Sequence, residues 1–126
     1  MSTAITVIQV LLALLFTSGG LLKFTLPYAR FTKLPAQAWA NDFRPEQVRF
    51  IGVLEASAAV GMFASLLVQP LTLITPLVAV GMALVMSGAM ATHLRRSEYV
   101  NMVGNFVVFL APALLVAYGR LVGFAV

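Results

Sequence analysis

Four long stretches almost free of charge constrain this chain more than any other feature. Residues 4–22, 71–92 and 101–119 contain no charged side chain, and residues 50–68 contain one, Glu55. A helix crossing the hydrocarbon layer needs about 20 mainly apolar residues, and each run meets that length. Strands of a membrane barrel are about 9–11 residues of alternating character; these runs are too long and too uniform for that. The pieces between them are short, so no separate soluble domain fits. The expected fold class is all-α, an integral membrane four-helix bundle with antiparallel up-down topology. A single transmembrane domain, 1–126, is expected to carry helices at about 4–23, 47–68, 71–93 and 101–120.

Composition agrees with this reading. The chain is 61% hydrophobic and 10% charged, whereas soluble domains carry about 25% charged residues. A water-soluble fold of 126 residues could not bury so much apolar surface, and disorder needs the opposite composition. Net charge is +4, but the basic residues lie in connections between apolar runs rather than on one solvated face. Membrane topology therefore explains them, and nucleic acid is not an expected partner. No cysteine is present, which excludes disulfide exchange, thiolate zinc and iron–sulfur clusters. One histidine and four carboxylates make no ordinary metal cage, so no metal is expected.

The connections differ in kind. Residues 69–70 leave room only for a tight antiparallel link, and 93–100 is also short. The first connection is the long one and holds Pro27, Pro35, Pro45 and the single tryptophan, Trp39. Pro45 followed by Glu46 suits a first helical turn, where proline forfeits no hydrogen bond and a carboxylate meets the positive dipole end. Trp39, amid polar residues of 37–43, is expected at the membrane interface, against lipid or a partner. Lys23, Arg30, Lys33, Arg44 and Arg49 flank this connection, Arg95 and Arg96 occupy the third, and Arg120 alone lies on the other side. The positive-inside rule then puts 24–46 and 94–100 in the cytoplasm of a multi-pass cell-membrane protein, with both termini outside. Nothing positive in the sequence precedes run 4–22, so it is expected to stay as a spanning helix rather than act as a signal peptide.

Alternating helix direction gathers the polar residues. Lys23 closes the first helix, Glu55 lies roughly 8 Å into the second, His93 closes the third, and Asn101 and Asn105 share a face at the start of the fourth. The opposite half offers only Gln9, Thr72 and Thr75 near its rim, so polar chemistry is expected at one end. An ionised carboxylate facing lipid costs several kcal/mol, so Glu55 should face the interior. It either pairs with Lys23 to fix helix register, or serves as a proton-carrying or ligand-binding carboxylate. Gly52 and Ala59 on its face allow a close neighbour. His93 reads first as a solvated helix end favoured by the dipole and second as a proton relay. Arg95 and Arg96 read as topology determinants or lipid head-group contacts. Asn101 and Asn105 are expected to cap or to bond between helices. Gly19 and Gly20, and the spacing of Ser57, Gly61 and Ser65, mark helix contacts; Pro112 should kink the last helix; the methionines fill gaps.

These residues form an ordered set. Gly20-Leu-Leu-Lys23-Phe24 closes the first helix and Ile51-Gly-Val-Leu-Glu55 opens the second. His93 with Glu98 follows the third, Asn105 starts the fourth and Gly119-Arg120 ends it. In this order the chain resembles the DoxX-like family of small four-helix membrane proteins, from about Phe16 to Arg120. The resemblance implies kinship with membrane subunits of thiosulfate–quinone oxidoreduction and with partners in oxidative-stress complexes; more distant relatives act as chaperones or cargo receptors. It also implies that Lys23, Glu55, His93 and Asn105 are the polar positions to watch. Without cysteines, a redox role must run through a quinone or a partner enzyme.

Three functions follow as expectations. The first is a redox- or stress-associated inner-membrane subunit with a quinone-like pocket at its cytoplasmic end, in contact with lipids and a redox enzyme or a second copy of itself. The second is a small proton-coupled transporter built on Glu55. The third is a non-catalytic assembly factor or anchor, docking through the long first connection.

Overall fold

A computed structural model describes residues 3–68 and 74–125. Its elements are α1 (Thr3–Thr25), α2 (Tyr28–Phe31), a 3-10 turn (Ala38–Asp42), α3 (Pro45–Leu67), α4 (Thr75–Arg95), α5 (Tyr99–Asn105), a π turn (Phe106–Leu110) and α6 (Ala111–Ala125). Among the described residues there is no strand, and four spans are long and apolar enough to cross a membrane: α1, α3, α4 and the continuous run Tyr99–Val122. The protein is an all-α four-helix membrane bundle. The tight link at 69–70 and Thr72 lie outside the described residues.

Local chemistry sets the ends. Pro27 stops α1, because the residue before a proline is pushed out of the helical region. Pro45 takes the first helical position of α3, two residues before the expected start, and the Arg44 N–H donates to Gln47 Oε1 at 2.8 Å. α4 ends in a Schellman motif: Ser97 N–H donates to the Leu94 carbonyl and Glu98 N–H to that of His93, with Ser97 at φ 58°. This reversal carries Glu98 back over His93. In the last span Pro112 has no N–H for the Val108 carbonyl. The helix widens one turn earlier, and Ala111 N–H donates to Phe106 rather than to Val107. The expected distortion is thus a π turn just ahead of the proline.

All four spans contribute to one core, in which Leu12 and Phe16 of α1 meet Ala59 and Met62 of α3, Ala79, Met82 and Met86 of α4, and Ala113 and Val116 of α6. Three of its members are methionines, suited to irregular gaps between helices. The first connection is not an open loop. Phe31, Ala40 and Val48 form a second small core there, and the Tyr28 hydroxyl sits 2.9 and 2.7 Å from the carbonyls of Ala40 and Phe43.

α1 and α3 meet without side chains between them. A Cβ on Gly20 would stand 2.8 Å from Gly52 O and Ala56 N, and one on Gly52 would stand 2.8 Å from Gly20 O. Only glycine permits this approach. Of the four-residue pattern on α3, Gly61 and Ser65 turn inward, while Ser57 is exposed.

Candidate functional site

The α1–α3 contact positions an ion pair. Lys23 Nζ lies 3.0 Å from each carboxylate oxygen of Glu55, whose residue is 4% exposed. The ammonium also sits 5.9 Å from the ring centroids of Phe31 and Trp39, within the range of cation–π attraction. Trp39 in turn packs edge-to-face against Phe31 and Phe43. Trp39, expected at the membrane interface, is half-buried and also lines the cavity, because the first connection packs on its own small core.

His93 likewise differs from its expected place at a solvated helix end. It is 4% exposed, and its Nδ1 is 2.8 Å from Glu98 Oε1. The Schellman turn creates this contact. His93 and Arg96 hold the Glu98 carboxyl below the usual carboxylate range, the His93 hydrogen bond contributing most. An ionised carboxylate accepts, so Nδ1 carries the proton and Nε2 is left as the ring's other polar atom.

The basic pair after α4 has separate contacts. Arg96 Nε donates to Glu98 Oε2 at 3.2 Å, and its Nη1 donates to Asp42 Oδ1 at 2.8 Å. His93, Glu98, Arg96 and Asp42 thus form a chain of contacts that ties the first connection to the end of α4. Arg95 is exposed and reaches Thr92 Oγ1 at 3.4 Å.

These groups surround a cavity of about 650 Å³. Lys23, Glu55, His93, Asn101, Asn105 and Trp39 supply its polar and aromatic wall, while Leu15, Phe16, Leu84, Val85, Met86 and Phe109 supply much of the apolar remainder. The structure therefore brings all four candidate site residues, Lys23, Glu55, His93 and Asn105, to one cavity; Arg95 and Arg96 stand outside it. Asn101 and Asn105, expected to cap or to bond across helices, do neither. Among the described residues neither side-chain amide has a hydrogen-bond partner. Both present donors and an acceptor to the cavity. Large apolar concavities with a few convergent polar groups are the usual form of a small-ligand site.

The expectation that polar chemistry sits at one end is too narrow. Gln9 is fully buried at the other end, and its amide nitrogen donates to Met62 O at 3.1 Å and Ser65 Oγ at 3.0 Å. Its oxygen accepts from Arg120 Nε at 2.9 Å. Gln9 inside a long apolar run was the available signal, since a buried amide demands partners.

The model of the DoxX-like family matches residues 7–116, most of the chain. Comparison with curated proteins and with solved structures found no match.

Proposed function

The chain belongs to the DoxX-like family, and we propose that it is a redox- or stress-associated membrane subunit whose cavity accepts a quinone-like ring. The observation that carries this reading is the unpartnered pair Asn101 and Asn105, set four residues apart on the wall of a largely apolar cavity that Lys23, Glu55 and His93 also line. A flat ring with carbonyl oxygens matches that wall: the amide N–H groups donate to the oxygens, and the apolar side chains cover the faces. The cavity volume of about 650 Å³ falls within the usual range for small-molecule sites.

When bound, a quinone supplies a couple that takes up two electrons and two protons, the electrons coming from a partner enzyme. The chain's own residues would manage protons and position. Glu55, held by Lys23, keeps a carboxylate beside the cavity without leaving a buried charge unpaired. His93, oriented through Nδ1 by Glu98, leaves Nε2 as the ring atom through which a proton would be exchanged. The basic bias puts this end in the cytoplasm, with residues 24–46 and 94–100 on that side of the cell membrane.

Mass spectrometry of what co-purifies from native membranes in mild detergent tests the reading. Wild type is expected to retain a quinone, and N101L/N105L and Glu55→Gln to lose it. Retention of lipids alone by wild type would remove the quinone and move the reading to an anchor.

A further inference from the structure

At the end of the bundle away from the cavity, a cation is built into the wall, and among the described residues no negative group lies beside it. The two hydrogen bonds from the Gln9 amide nitrogen, to Met62 O and Ser65 Oγ, fix the amide so that its oxygen faces Arg120 Nε. Arg120 Nη2 donates to Thr6 Oγ1 at 3.1 Å. Two neutral acceptors thus set the plane of the guanidinium. Next to it, a Cβ on Gly119 would meet Ile5 Cδ1 at 2.9 Å, so the α6 backbone is pressed against α1 and the base of the arginine is held close.

A guanidinium has five N–H donors in a rigid fork that matches carboxylate and phosphate oxygens. Gln9 and Thr6 use two of them. The carboxylates Asp42, Glu46, Glu55 and Glu98 all belong to the first connection, the opening half of α3, or the α4–α5 link. Among the described residues none pairs with Arg120. An uncompensated charge in a membrane wall is expensive and is normally met by a partner. Depth suggests which one. Gln9 lies about 9 Å along α1 from Thr3, and Arg120 about 8 Å from the described end of α6 at Ala125. A long cationic side chain this close to the helix ends can reach toward the lipid head groups.

We propose that Arg120, cradled by Gln9 and Thr6, is an anion site that takes a phosphate group, supplied by a phospholipid head group of the adjoining leaflet. The remaining N–H groups would donate to two phosphate oxygens, the paired geometry guanidinium favours. The site is independent of the cavity and of any quinone.

Native mass spectrometry of the full chain in neutral detergent tests this, titrating phosphatidylglycerol, diacylglycerol with the same acyl chains, and inorganic phosphate. Head groups held by basic residues at the other end are common to all variants and cancel. Wild type is expected to bind phosphatidylglycerol about ten-fold more tightly than R120Q, as for loss of one charge-assisted hydrogen bond, with diacylglycerol binding equal in both. T6D keeps the guanidinium and gives it an internal carboxylate, so it should stay folded and lose the same preference. A preference for inorganic phosphate over the lipid, lost in both variants, would overturn the lipid source and support the phosphate chemistry. Equal phosphatidylglycerol binding by wild type and T6D overturns the proposal.

Discussion

The two helix pairs of this bundle are joined in opposite ways. Along α1 and α3 the backbones touch at Gly20 and Gly52, with Lys23–Glu55 on one side of the contact and Gln9–Ser65 on the other. On α4 and the last span, Gly81, Gly88 and Gly104 have nothing within 4 Å of an added Cβ, and the backbone relaxes into a π turn. Gly88 and Gly104 border the cavity. The difference is a division of labour: one pair is a fixed wall that holds the Lys23–Glu55 ion pair, and the other leaves much of the volume this pair faces.

The largest expected effect comes from breaking the wall's ion pair. Lys23→Met leaves Glu55 buried and unpaired, and should cost about 3–5 kcal/mol, the range for removing one partner of a buried pair. The double variant K23M/E55M should recover most of that, since apolar replacement of both partners is often neutral. Unfolding in lipid nanodiscs by denaturant, read as a double-mutant cycle, measures both. A K23M chain as stable as wild type would mean that the pair holds nothing together.

Next come the glycines. Gly52→Ala should lose about 1–3 kcal/mol, because its Cβ meets backbone that cannot move aside. Gly88→Ala and Gly104→Ala should lie within about 1 kcal/mol of wild type or gain slightly, as alanine favours helix and meets open space. Equal losses at Gly52 and Gly104 would erase the contrast between the two pairs.

A smaller effect is expected from acid. His93 and Arg96 lower the folded pKa of Glu98, so the stability this contributes is full above the unfolded carboxylate value, about 4.3. It is lost as pH falls through the lower folded value. Thermal unfolding between neutral and strongly acidic pH should therefore show a loss at the acid end that Glu98→Gln lacks. Parallel curves for both proteins would contradict the linkage.

Much of the wall was legible in the sequence. Run length gives the four spans because the bilayer fixes it, and the need of Glu55 for a partner follows from the cost of a bare carboxylate, with Lys23 at hand on α1. The yielding side was harder to read. Pro112 signals a distortion, but whether it is a kink or a π turn depends on which carbonyl loses its donor. The burial of His93 depends on a left-handed Ser97, a conformation that serine seldom signals. Asp42–Arg96 joins residues far apart in sequence, and the inward turn of Trp39 follows from the small core beneath it. The sequence shows Gln9 only as a polar residue near the rim, because a hydropathy sum hides one amide among leucines.

In the proposed function this cavity would receive a quinone-like ring through Asn101 and Asn105. Trp39, the single tryptophan, stands in its wall and is a built-in reporter. Its fluorescence should be titrated with a short-chain quinone in nanodiscs. The account predicts saturable quenching by wild type and R120Q, and binding about ten-fold weaker in N101L/N105L, where the amide donors are gone. Quenching that rises linearly without saturation, or saturates equally in N101L/N105L, would contradict it.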